Sequence, residues 1–248
     1  EALLVPPEPI SVLEQPFEFT AVFTDPGILG DTPYTCAIDY GDGTGTQHGL
    51  IDDDECSGSH TYAAAGVYTL AVSVTDKDGA TGSDAYQYVV IYDPAGGFVT
   101  GGGWIDSPAG AYPSDPSLAG RASFGFVSKY AKGRSVPDGH TEFQFKAAGL
   151  DFRSSSYDWL IIAGPKATFK GVGTIDGGGN YGFLLSAIDA AQTPSTDEDQ
   201  FRIKIWDVDA ADALVYDNQV ACSDVADKAD PCTAIGGGSI VIHKAKGK

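Results

Sequence analysis

Residues Val67 to Thr75 place Tyr68, Leu70, Val72 and Val74 at alternate positions, with smaller or polar residues between them. That is the period of a strand buried on one face. The pattern recurs in short runs that turn-forming residues close. Asp25-Pro26-Gly27 follows Phe17 to Phe23, Gly41-Asp42-Gly43 follows Thr35 to Tyr40, and Asp76-Lys77-Asp78-Gly79 precedes a last strand from Ala85 to Tyr92. Long helical patterns are absent, and glycine is abundant at 32 of 248 residues. This punctuation predicts an all-β chain whose first ~90 residues form a β-sandwich.

Charge and cysteine set the next bounds. Lys+Arg 15 against Asp+Glu 34 gives a formal charge of −19, which argues against nucleic acid and anionic membrane surfaces as partners. No apolar run is long enough to span a bilayer and no basic leader opens the chain, so a soluble mature chain without membrane insertion is expected. Residues 1–93 carry 16 acidic residues and only Lys77 as a base, a net of −15, which leaves −4 for the remainder. Such asymmetry predicts two modules, 1–93 and 98–248, joined at Asp93-Pro94-Ala95-Gly96-Gly97 and sitting close together. Of the three pairings open to four cysteines, Cys36–Cys56 and Cys222–Cys232 are local and would each staple one loop. Two disulfides imply an oxidising compartment. Zinc has little support, because CxxC is absent and no His lies beside a Cys.

Four motifs in order carry a resemblance over about 85 residues: Ile38-Asp39-Tyr40-Gly41-Asp42-Gly43, His60-Thr61-Tyr62, Gly66-Val67-Tyr68-Thr69 and Val74-Thr75-Asp76-Lys77-Asp78-Gly79. This segment resembles the PKD domains, which are immunoglobulin-like sandwiches. Ile38 stands where that family usually has Trp, a change expected only to repack the core. Residues 47–58 look like an acidic loop closed by Cys36–Cys56, which the resemblance does not interpret.

The second segment alternates too. Phe98 to Ile105, Ala122 to Tyr130, Thr141 to Ala147, Tyr157 to Ala163, Ala167 to Ile175, Tyr181 to Ile188, Phe201 to Val208, Ala213 to Tyr216 and Ser239 to His243 read as strands of a second sandwich or jelly-roll-like domain. In Phe201 to Trp206, the residues Phe201, Ile203 and Ile205 are expected inward and Arg202 and Lys204 toward water. Gly101-Gly102-Gly103-Trp104 implies close approach of a backbone or ring. Gly101 to Ile105, Phe124-Gly125-Phe126, Tyr157 to Leu160, Tyr181-Gly182-Phe183 and Phe201 to Asp207 resemble the bacterial post-COAP-1-type module over about 98–244. That family occurs on secreted multi-module proteins, often after a PKD domain. The resemblance therefore informs location more than mechanism.

No nucleophile elbow, zincin helix, Walker loop or dinucleotide fingerprint is present, so a non-enzymatic chain is expected. His60 belongs to the PKD motif as a hydrogen-bonding residue, and His140 with Glu142 is a commonplace pairing of alternate strand residues. Calcium is the candidate cofactor, since a hard cation needs several oxygens in a tight loop. The candidate ligands are Asp52, Asp53 and Asp54 in the acidic run; Asp25, Asp39, Asp76 and Asp78 in first-domain turns; and Asp207, Asp209 and Asp212. The bland reading of each set is a solvated loop or turn chemistry. Trp104, Trp159 and Trp206 lie in strand patterns and default to the core. Trp206 is the candidate ligand-binding residue, because it shares parity with Arg202 and Lys204. Lys129, Lys132 and Arg134 form the only internal basic cluster.

The leading expectation is a non-catalytic extracellular module pair, secreted or at the cell surface, that binds a protein or a glycan. A second is a self-assembling subunit of a filament, sheath or surface layer, driven by the charge asymmetry or by Ala2 to Val5 pairing with a neighbour's sheet edge. A third is an accessory region of a secreted hydrolase.

Overall fold

The computed structural model describes residues 2–4, 10–12, 15–25, 32–93, 95, 97–131 and 134–244. Val5, Pro26, Gly27, Pro94, Gly96 and Lys132, invoked above, lie outside the described residues. The chain divides into two compact units, Glu1–Asp93 and Pro94–Lys248.

The first unit contains β1 (Ala2–Leu4), β2 (Ile10–Ser11), β3 (Phe17–Phe23), β4 (Thr35–Asp39), β5 (Thr46–His48), β6 (Leu50–Asp52), β7 (Glu55–His60), β8 (Gly66–Thr75) and β9 (Thr81–Tyr92). They form two sheets, β1-β3-β7-β6 and β2-β9-β8-β4-β5. Alternation decides which side faces in. Phe17, Phe19, Ala21 and Phe23 of β3 are buried, while Glu18, Thr20 and Val22 are exposed. From the other sheet, Ile38, Leu70, Val72 and Val74 complete the same core. Each fully buried side chain of this size stabilises the sandwich by about 1.5–3 kcal/mol.

Two expectations for this unit are corrected. Residues 47–58 are largely strand rather than loop: β5, β6 and the start of β7 run through them, and the acidic run is only the β6–β7 tip. Cys36–Cys56 forms, with Cα atoms 6.2 Å apart, but it does not merely staple a loop. Cys36 lies in β4 and Cys56 in β7, so the bond crosses from one sheet to the other through the buried core. β1 pairs with β3 of its own sheet, Ala2 opposite Phe23.

The second unit is one antiparallel sheet. Its strands are β10 (Phe98–Ser107), β11 (Gly120–Tyr130), β12 (Pro137–Phe145), β13 (Leu150–Ala163), β14 (Lys166–Ile175), β15 (Gly178–Ile188), β16 (Gln200–Asp207), β17 (Ala213–Asp217) and β18 (Gly237–His243). They lie in chain order from β17 back to β10, with β18 beside β10. The sheet curls upon itself. Phe124 of β11 stacks on Phe201 of β16 at 4.0 Å between ring centroids. Phe143 of β12 meets Tyr216 of β17 at 4.7 Å, and the Tyr216 hydroxyl donates to Ser107 Oγ of β10 at 2.8 Å. Strands far apart in the sheet thus face each other across a single core. The glycine run serves the close approach expected of it: a Cβ on Gly101 would run into the Phe126 ring, and one on Gly103 into the Gly237 backbone.

The outer edge of β18 is covered by carboxylates rather than by another strand. Asp199 Oδ2 accepts from the Ile240 amide at 2.7 Å, and Asp189 Oδ2 accepts from the Ile242 amide at 2.9 Å. Paired in this way, those donors no longer template association with another chain.

Candidate functional site

Three of the carboxylates singled out as calcium ligands, Asp39, Asp76 and Asp207, accept from amides of their own turns. Asp39 accepts from the Gly41 amide at 2.8 Å, and Asp76 accepts from the amides of Asp78 at 2.8 Å and Ala80 at 2.9 Å. Asp78 pairs with Lys77, and Asp25 accepts from the Tyr34 hydroxyl at 3.2 Å. Asp52, Asp53 and Asp54 are exposed at the β6–β7 tip, with Asp53 in the left-handed region at φ 49°. Asp207 accepts from the Asp209 amide at 3.0 Å, and Asp212 sits at φ 59° in the turn that follows. Among the described residues no group of three or more His, Cys, Asp or Glu is arranged to hold a metal ion.

The motif residues of the first unit build a local network. His60 Nε2 lies 2.7 Å from Asp42 Oδ2, and its ring stacks on Tyr40 at 4.2 Å between centroids. The Tyr62 hydroxyl donates to the Tyr40 carbonyl at 3.1 Å. Gly41 is required at φ 72°, where a Cβ would also strike the Thr69 backbone. Burial alone would raise the Asp42 carboxyl. Hydrogen bonds from the Thr44 hydroxyl, His60 and the Thr44 amide outweigh it and hold the group down at about 2.

On the outward side of the second unit, one expectation is overturned. Arg202 does not face water: its side chain is 1% exposed. Nε donates to Asp217 Oδ1 at 3.0 Å and Nη2 to Asp217 Oδ2 at 2.8 Å. The same guanidinium donates to the carbonyls of Ala226 at 2.7 Å and Val225 at 3.0 Å. Those carbonyls belong to the loop that Cys222–Cys232 closes, with Cα atoms 6.1 Å apart. Lys204 reaches Asp227 at 2.7 Å, and Lys166 reaches Asp230 at 2.9 Å and the Lys228 carbonyl at 2.8 Å. Burial pushes the Asp227 carboxyl up, to about 6, and draws the Lys204 ammonium down. The nearby Asp217 charge opposes the shift of Lys204. The segment from 217 to 230 thus covers what simple alternation assigns to solvent.

Two tryptophans lie outward. Trp206 is half-buried and packs flat on Gly182, leaving no room for a Cβ there, with Lys170 Nζ 5.9 Å from its ring centre. Trp104 departs from its default place in the core: its parity opposes that of Val99 and Ile105, and the Arg121 guanidinium lies 3.9 Å over its ring. Trp159 is buried. His140 Nε2 is 3.0 Å from Glu142 Oε1 on an open sheet face, with both side chains more than half exposed. The hydrogen bond with His140 lowers the Glu142 pKa, against a smaller effect of burial.

A polar cleft that the sequence did not suggest opens in the first unit. It measures about 600 Å³ and lies between β3, β5 and β7, with Leu50 at its side. Glu18, Thr20, Gln47, Ser57 and Ser59 line it, and Tyr40 reaches it from the core. The only sequence signal for it is Gly58, a glycine inside a strand, which marks close approach of another group.

No curated protein and no solved structure matches the chain. Residues 6–91, about a third of the sequence and within the first unit, fit the family model described as PKD domain.

Proposed function

We propose that the chain is a non-catalytic module pair, secreted or displayed at a cell surface, that binds a protein or glycan ligand. The observation that carries this reading is the match of residues 6–91 to the PKD domain model, on a two-sheet sandwich bolted by a buried disulfide. The second disulfide and the resemblance of the second unit to the post-COAP-1 type support the same location. The test is retention of the intact chain on cell envelopes and insoluble polysaccharides. Saturable retention supports the reading, and turnover of a polymer by these 248 residues overturns its non-catalytic part.

A second reading, self-assembly of like copies, draws on one observation: the first unit carries −15 and the second nearly all the basic residues. Strand exchange lends it no support, because β1 is taken up by β3. Sedimentation velocity in calcium and then in excess EDTA, at low and moderate salt, tests it. Large species that dissolve with added salt favour assembly by charge, and large species lost in EDTA favour calcium-linked assembly. A monomer throughout removes both.

A further inference from the structure

We propose that residues 223–231 form a lid over an outward apolar ledge of the second unit, and that the Cys222–Cys232 disulfide is its thiol-sensitive latch. The ledge lies on β15. Register sets Leu184 between Lys170 of β14 and Lys204 of β16, Ser186 between Thr168 and Arg202, and Ile188 between Lys166 and Gln200. This row faces away from the main core, whose β15 members are Phe183, Leu185 and Ala187. The outer face of an antiparallel sheet is commonly wet, yet Leu184 is 2% exposed and Ile188 6%. Lys166 of β14 donates to the carbonyls of Lys228 and Ala229, and Arg202 of β16 donates to those of Ala226 and Val225. A segment bonded to both neighbours of β15 passes over β15, and Ala229 of that segment is itself buried.

The two disulfides differ in what a reductant meets. Cys36 and Cys56 are buried, and the Gly49 backbone lies against them: a Cβ there would be 2.9 Å from either sulfur. Cys232 is exposed and Cys222 half-buried, one at each end of the lid. Exchange needs access for an attacking thiolate, so the accessible bond is the labile one. A dithiol supplies the chemistry. Its thiolate bonds to one cysteine sulfur and displaces the other, and its second thiol then displaces the first. Two electrons and two protons pass to Cys222 and Cys232, and the dithiol leaves as a cyclic disulfide. One buried atom already favours opening. Gln219 donates through Nε2 to the carbonyls of Asp224 and Asp230 inside the ring, while its Oε1 has no partner among the described residues. Opening admits water to that oxygen. It also uncovers Leu184 and Ile188 beside the cations Lys166, Arg202 and Lys204.

The experiment treats the intact chain with graded dithiothreitol at neutral pH, alkylates the freed thiols, maps them by mass spectrometry and follows amide exchange in the same samples. Cys222 and Cys232 are expected to be alkylated together at exposures that leave Cys36 and Cys56 joined. The amides of Ala226 and Ala229, bonded within the lid, should then exchange about tenfold faster or more, while those of β10 to β12 keep their rates. Reoxidation should restore the slow exchange. The double variant Cys222→Ser, Cys232→Ser supplies the open lid without reductant and should bind an anilinonaphthalene sulfonate dye that the parent does not. Three results overturn the proposal. The first is both disulfides opening at one rate. The second is lid amides that stay protected once Cys222–Cys232 is cut, which would make the charged contacts sufficient ties. The third is faster exchange that spreads to β10 to β12 or survives reoxidation, which is unfolding rather than opening.

Discussion

The Arg202 guanidinium and the Asp217 carboxylate make a two-point contact, at 3.0 and 2.8 Å, beneath the disulfide-closed loop of the second unit. Paired and planar, the two charges survive burial because two further guanidinium donors find the carbonyls of Ala226 and Val225, and the Asp227 carboxylate lies 3.7 Å away. Arg202→Met would leave Asp217 buried without its partner. We expect a loss of about 3–5 kcal/mol in urea unfolding, and little recovery in Arg202→Lys, which lacks the fork. A loss under about 1 kcal/mol would show that the contact is dispensable.

A pH dependence follows from Asp42. Its carboxyl titrates at about 2 in the folded chain and near ~3.9 when unfolded, so it binds fewer protons folded than unfolded in between. Its contribution is complete above the unfolded value and is lost as pH falls from about 4 to about 2. Melting curves across that range should fall more steeply for the parent than for Asp42→Asn. Parallel curves would mean that the bonds from Thr44 and His60 do not hold the charge.

The carboxylates on the edge of β18 make a residue-level prediction. Asp189→Ala removes the acceptor of the Ile242 amide, and Asp199→Ala removes that of Ile240. Each should cost about 1–3 kcal/mol, and the amide in question should exchange faster with deuterium than its neighbours in β10. Unchanged exchange at both amides would show that the edge is protected by other means.

Both disulfides should be fully formed, and the buried one should matter most to stability. Thiol titration of the denatured, unreduced chain should find no free thiol. Removing Cys36–Cys56, which spans 20 residues and joins two sheets, should cost about 3 kcal/mol. Four titratable thiols would contradict both bonds.

The strand alternation made most of this architecture legible. Phe17 to Phe23 and Gly66 to Thr75 are strands with the faces their patterns give. β13 starts at Leu150, seven residues before the expected Tyr157, because polar Arg153 to Ser156 and two irregularities of register hide its period. Arg202 was misplaced for a different reason. Period-2 alternation says which face a side chain takes, and it is silent on a later segment, here 217–230, that folds over that face. The same limit hid the cleft at Tyr40, which depends on Gly58 lying opposite it in another sheet. Aspartates in turns read alike from sequence whether they cap amides or bind a cation, and those of Asp39, Asp76 and Asp207 accept from neighbouring amides.

The central claim is that the chain is a binding module without chemistry of its own. The most direct measurement is equilibrium depletion of the intact chain by a series of insoluble polysaccharides and washed cell envelopes, with the supernatant assayed for released sugars or peptides. The account predicts saturable depletion by at least one surface and no release. Release of product from any of them, or no saturable depletion by any, would contradict it.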